Sequence, residues 1–206
     1  MTSATPFRDL LAVDGVEERL VLRGSLGFMA YHGGSLEEMT DIIADAAAER
    51  SGASFYAVVQ PPNFNRHIPS HKVAPEESPL LRQFLDHVDV VITIHGFGRH
   101  HMWTTLLLGG QNRELAEHVA GHLRPLLPDY TMETDLPEMP KELRGLHHRN
   151  PVNLPPFQGV QIELPPRVRG RSPIWRDWKG PGPVPHTQAL IDGLAAAATS
   201  WMQHSP

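Results

Sequence analysis

Gly27-Phe28-Met29-Ala30-Tyr31-His32-Gly33-Gly34 is an apolar run that stops at a histidine and two glycines, with Glu37 three residues further on. Apolar residues in one short block bounded by glycine read as a buried strand, and the glycines read as a sharp turn. The pattern returns at Val90-Val91-Ile92-Thr93-Ile94-His95-Gly96. A third run, Val160-Gln161-Ile162-Glu163-Leu164, sets a glutamate in a strand-like context. Two imidazoles and two carboxylates thus sit at or near strand ends, which is the ligand set of a catalytic zinc site with one acid to spare.

Working outward, further apolar runs predict strands near 54–59 and 103–109, a weaker one near 129–134, and an edge strand at 19–23. Helical patterns lie between them. One opens at Ser35, whose partner Glu38 three positions later suits a capping box, and continues through Met39, Ile42, Ile43 and Ala46. Others cover 76–88, 112–127 and an Ala-rich 187–202. Strands alternating with helices predict an α/β fold, a single-domain three-layer sandwich over 1–206 with a mixed, mostly parallel sheet. In such sheets, ligands bind beyond the carboxyl ends of strands, where His32 and His95 would lie. The blocks 61–75 and 134–158 read as loops near that rim. The Pro-, Arg- and Trp-rich stretch 165–185 is long for a connection and reads as a surface loop or a lid.

The bulk composition narrows the classes. The chain has 206 residues, 40% hydrophobic and 20% charged, which suits a folded domain with a core and argues against global disorder. No apolar stretch reaches membrane-spanning length, and the first residues lack a basic start followed by an apolar core. The expectation is a cytoplasmic, monomeric protein without nucleic-acid or membrane partners, with release by lysis or by another route left open. With no cysteine, thiolate sites and disulfides are excluded, so any zinc is held by nitrogen and oxygen.

His32, Glu37 and His95 would supply three ligands and leave a fourth position open for water. The glycines after His32 let Glu37 point back at the ion. Glu163 is the candidate general base, passing a proton from water to a leaving amine. Each residue also has a plainer reading. Glu37 would serve equally as a helix-terminal acid. Glu163 would face solvent if Val160, Ile162 and Leu164 alone faced the core. Spacing does not choose between these. His118 and His122 lie one helical turn apart, but their apolar flanks favour a packed helix.

The ordered set of motifs resembles the poly-gamma-glutamate hydrolase family, known chiefly from bacteriophages and bacteria. The similar elements are His32-Gly33-Gly34-Ser35-Leu36-Glu37, Ser54-Phe55-Tyr56, Ser70-His71, Ile94-His95-Gly96, Leu108-Gly109-Gly110-Gln111-Asn112, Asn150-Pro151-Val152-Asn153 and Gly159-Val160-Gln161-Ile162-Glu163-Leu164, followed by Arg167 and Arg169. The resemblance implies a fold related to zinc carboxypeptidases with one Zn(2+), held by His32, Glu37 and His95. It places Glu163 as general base and His71 near the substrate. The chain departs from the family in Ser35-Leu36, where a third glycine and an isoleucine are usual. The 61–72 segment and the basic tail after Arg167 also differ.

The resulting expectation is a zinc-dependent amide hydrolase acting on an anionic, glutamate-containing substrate, with poly-gamma-glutamate preferred. Its carboxylates would need cations, and Arg66, Arg113, Arg167 and Arg169 are candidates, with Arg66 and Arg169 foremost. Asn153 joins His71 and these two among the substrate-facing residues. Two rivals stand beside this reading. One is another amidase on the same scaffold, acting on peptidoglycan stem peptides, acyl-glutamates or aminoacyl esters. The other is a polyanion-binding protein without turnover.

Overall fold

The computed structural model describes residues 7–204. One seven-stranded sheet organises the chain, built from β1 (Glu17–Val21), β2 (Leu26–Gly34), β3 (Ser54–Gln60), β4 (Val90–Gly96), β5 (Thr105–Gly109), β6 (Thr131–Glu133) and β7 (Gly159–Leu164). The spatial order is β1-β3-β2-β4-β7-β5-β6. The central four, β3, β2, β4 and β7, are mutually parallel, whereas β1 and β5 run antiparallel to their inner neighbours. β2, β4 and β7 are buried along nearly their whole length, as strands covered on both faces must be.

Helices cover the two faces. On one side α2 (Thr40–Ser51), α4 (Arg113–Leu123) and α5 (Pro185–His204) pack on Phe28, Ala30, Ile92, Ile94, Val160 and Ile162. On the other, α1 (Phe7–Leu11) and α3 (Pro79–His87) pack with Met29, Tyr31, Tyr56 and Val91. This is the expected three-layer arrangement with a mixed, mostly parallel sheet. Phe84 of α3 is fully buried, and burying such a side chain contributes roughly 1.5–3 kcal/mol. Among the described residues, no helix is long and apolar enough to cross a membrane.

Helix starts differ from the sequence reading in two places. The proposed capping box at Ser35 does not form. The Ser35 hydroxyl is shared between the carbonyls of Pro61 (2.7 Å) and Phe64 (2.6 Å), and the helix begins at Thr40 after Met39, which takes a left-handed φ of 76° without a side-chain cap. Residues 35–39 are therefore a turn. The helix expected from 76 begins at Pro79. Ser78 caps it, accepting from the Leu81 amide at 2.9 Å, and Pro79 is preset for the first helical position.

The strand order reverses around β2. From β2 the chain crosses to β3 on one side, and then to β4 on the other. The carboxyl ends of β2 and β4 diverge at this switch point, leaving a crevice between the loops that follow them.

Candidate metal centre

His32 reaches this crevice through a bulge. Ala30 pairs with Ala57 and Gly33 with Val59, so Tyr31 and His32 together face the single residue Val58. The extra residue re-aims the strand end, as bulges beside sites commonly do. Beyond it the chain must fold tightly. Gly34 has φ of +70°, and a Cβ there would lie 2.2 Å from the Gln60 carbonyl oxygen. The Glu37 amide then donates to the His32 carbonyl at 2.9 Å, and the Thr40 hydroxyl to the Glu37 carbonyl at 2.7 Å. This turn, rather than a helix start, swings the Glu37 carboxylate back over the strand ends.

Glu37 joins the two imidazoles. Its Oε1 lies 2.8 Å from His32 Nδ1, and its Oε2 lies 3.1 Å from His95 Nδ1 and accepts from the Gly96 amide at 2.8 Å. The three donor groups lie within 4.8 Å of one another. Among the described residues, no other group of three or more His, Asp or Glu converges in this way. Both histidines turn Nδ1 inward and engage Nε2 behind. His32 Nε2 donates to the Ile68 carbonyl at 2.9 Å, and His95 Nε2 meets the Tyr31 hydroxyl at 2.9 Å. A carbonyl only accepts, so His32 carries a proton on Nε2, and Nδ1 is the nitrogen that would turn its lone pair to an ion in place of its contact with Glu37. Two imidazole nitrogens and one carboxylate, open on the cleft side, suit a divalent ion with a free coordination position.

In the metal-free site the charges of Glu37 and the two imidazoles dominate one another. Burial alone would raise the Glu37 carboxyl, but the charges and hydrogen bonds of His32 and His95 hold it far below the usual carboxylate range. Burial pulls the His95 imidazole down, and Glu37, aided by Glu163, more than reverses this and raises it. Glu163 faces His95 in register across β4 and β7. Burial, reinforced by the charge of Glu37, pushes its carboxyl up to about 7 against the opposing pull of His95, Gln161 and Arg169. Its Oε1 accepts from Gln161 Nε2 at 2.8 Å, and its Oε2 makes no hydrogen bond among the described residues.

A cleft of about 920 Å³ opens over these groups. His32, Glu37, His95 and Glu163 form its floor; 67–71 and 141–147 supply the side walls. His71 lines it, with its ring 4.7 Å from that of His147. The remaining residues expected to face substrate lie off the wall. The Arg66 guanidinium rests over the Phe64 ring at 5.3 Å. Arg113 donates to the carbonyls of Gly110, Leu108 and Thr134. Arg167 stacks on Tyr130, with its cation 5.5 Å from the ring centre. Arg169 is buried behind Gly96, donating to the carbonyls of Leu164 (3.2 Å) and Glu38 (2.7 Å). Asn153 ties down a wall from behind, donating to the carbonyls of Gly145 and His147. The physical reason is common to most of them: loop carbonyls need donors, and these side chains supply them. The cations on the wall are instead Lys141 and Arg144. The residues lining the cleft include none of 165–185, and Arg169 ties that stretch to the body through the Leu164 and Glu38 carbonyls. His118 packs on Trp201 and reaches the Ala197 carbonyl at 3.0 Å, a helix-packing role.

Sequence reasoning missed Tyr31, Asn150, Gln161 and His67. Tyr31 stands edge-on to both site imidazoles at 4.9 Å. The His67 ring lies 4.8 Å from His32, and burial beside that imidazole lowers its pKa. The usable signal was local: Tyr31 abuts His32, and Gln161 is polar within an apolar strand.

Residues 15–172 match the model of a family described as poly-gamma-glutamate hydrolase. No curated protein matches the chain by sequence. Among solved structures, the bacteriophage poly-gamma-glutamate hydrolase superposes with a TM-score of 0.79 at 17% identity, covering 96% of this chain and 95% of its own. An N-formylglutamate amidohydrolase from Ralstonia eutropha JMP134 gives 0.55 at 12% identity, over 93% and 98% of the two chains. A metallo-carboxypeptidase from Burkholderia cenocepacia gives 0.53 at 11% identity, over 94% of this chain and 66% of that one. At such identities these likenesses establish the shared fold.

Proposed function

The chain belongs to the poly-gamma-glutamate hydrolase family, and on that footing we propose that it is a zinc-dependent hydrolase of gamma-glutamyl amide bonds, with poly-gamma-glutamate as substrate. The observation that carries this reading is the convergence of His32, Glu37 and His95 beneath one cleft with Glu163 beside them. His32 Nδ1, His95 Nδ1 and the Glu37 carboxylate would hold one Zn(2+). A divalent ion bound there would polarise the scissile carbonyl and acidify the attacking water.

The protein's own groups do the rest. Glu163, with Oε2 unengaged, accepts the proton from water as the C–O bond forms and returns it to the leaving nitrogen as the C–N bond breaks. Arg144 donates from Nε and Nη2 to the Met139 and Pro137 carbonyls and makes no hydrogen bond through Nη1 among the described residues, so it is a fixed cation for a substrate carboxylate or the developing oxyanion. His71 and Lys141 extend the polar wall for neighbouring glutamyl carboxylates.

An amine-release assay on purified poly-gamma-glutamate tests the reading, run in parallel with small N-acyl glutamates and with a strong chelator. Release from the polymer, abolished by chelation and restored by zinc, is expected. Preference for the small amides would replace the polymer with an acyl-glutamate, and turnover indifferent to chelator would remove the metal from the chemistry.

A further inference from the structure

The two histidines are fixed by different means. His32 leans on a backbone carbonyl, which settles its tautomer. His95 leans on the Tyr31 hydroxyl, which is able to donate or accept and so settles nothing by itself. The answer lies further along the same chain of contacts. Tyr31 Oη is 3.1 Å from Asn150 Oδ1, Asn150 Nδ2 is 2.8 Å from Gln161 Oε1, and Gln161 Nε2 is 2.8 Å from Glu163 Oε1. All of these contacts are buried.

One backbone group sets the direction of the whole series. The Val152 amide donates to Asn150 Oδ1 at 3.3 Å. That atom is therefore the oxygen, and the other is the NH2. The single Tyr31 hydroxyl proton must go to Asn150, so Tyr31 accepts from His95, and Nε2 carries the hydrogen. In the opposite direction, the Asn150 NH2 donates to Gln161 Oε1, which leaves the Gln161 NH2 to donate to Glu163. Reversing any link would set two donors or two acceptors face to face at a buried position, which is strongly unfavourable.

We propose that Tyr31, Asn150 and Gln161 are positioning residues that form a one-way hydrogen-bond relay, presenting the His95 Nδ1 lone pair to the metal and holding Glu163 as an acceptor. The relay joins a metal ligand to the proposed base through the β2 and β7 strands and the Asn150 turn, and sets both from one amide. It accounts for an asparagine at 150. An aspartate there would lack the NH2, and Gln161 would turn its oxygen towards Glu163. The inference rests on the metal reading of the site.

The test uses full-length protein loaded with cadmium-113 and labelled with nitrogen-15, without substrate. In the wild type, cadmium coupling at His95 is expected on Nδ1, with a slowly exchanging proton on Nε2. Tyr31→Phe keeps the ring packing and removes only the hydroxyl. It is expected to speed exchange of that proton and, in chelator competition, weaken metal binding about 10–100-fold. Coupling on His95 Nε2 in the wild type overturns the relay whether or not the variant folds. A folded variant with unchanged exchange and affinity overturns it too. A wild type that binds no cadmium overturns the relay together with the metal reading beneath it.

Discussion

Replacing Glu163 with glutamine separates chemistry from stability, because the two should move in opposite directions. The side chain is 4% exposed, and its shape and its hydrogen bond survive the change, since a glutamine Oε1 still accepts from Gln161. Burial pushes its carboxyl up to about 7 in the folded metal-free chain, against an ordinary 4.5. A carboxyl whose pKa is raised by folding contributes its stability below pH ~4.5 and loses it as pH rises through about 7. At pH 8 the wild type therefore carries a penalty on the order of 3 kcal/mol that glutamine, having no charge, does not. Denaturant titration of the metal-free proteins should find Glu163→Gln the more stable at pH 8, with the difference shrinking towards pH 4.5. Hydrolysis by the zinc-loaded variant should fall about 10²–10⁴-fold, the usual worth of a positioned base. Wild-type turnover, or a variant no more stable than its parent at pH 8, would refute the account of Glu163 as a buried base.

Two further outcomes follow from the geometry. His95→Ala removes one of three ligands, and elemental analysis should show metal content well below one equivalent while the far-ultraviolet spectrum stays native; a full equivalent would exclude His95 from the ligand set. Gly34→Ala forces an L side chain into φ of +70° with its Cβ 2.2 Å from a carbonyl oxygen, so chemical denaturation should show a loss of at least ~2 kcal/mol, and a neutral result would mean that the turn after β2 rearranges freely.

The strands were legible because each is a dense apolar block closed by glycine, proline or asparagine. A parallel sheet flanked by helices demands that pattern. The first turn after β2 misled for an instructive reason. Ser35 and Glu38 have the spacing of a capping box, but the Ser35 hydroxyl finds two carbonyls from the distant 61–64 loop, which no local rule reveals. Alternation in β7 left two options for Glu163. The helical layer takes Val160, Ile162 and Leu164, and the opposite face turns out to be the cleft floor and not solvent. The arginines were the least legible. Arg66, Arg113 and Arg169 have the charge to meet a polyanion, yet they pack on a ring or donate to main-chain carbonyls. Sequence records the charge but not the unpaired carbonyl that claims it. Tyr31, Asn150 and Gln161 stayed hidden because their value lies in contacts between residues up to 119 positions apart.

The cleft is built from two kinds of material. Its floor hangs on the ends of neighbouring parallel strands, whose spacing a mutation scarcely alters. Its outer wall, from Lys141 to His147, is a ribbon of short turns, pinned by the Asn153 amide and by the Arg144 guanidinium. Insertions or exchanges in that ribbon would recut the opening for a longer, shorter or differently charged chain while the reacting groups stayed where they are. Diversification among relatives of this scaffold should therefore concentrate in that one strip.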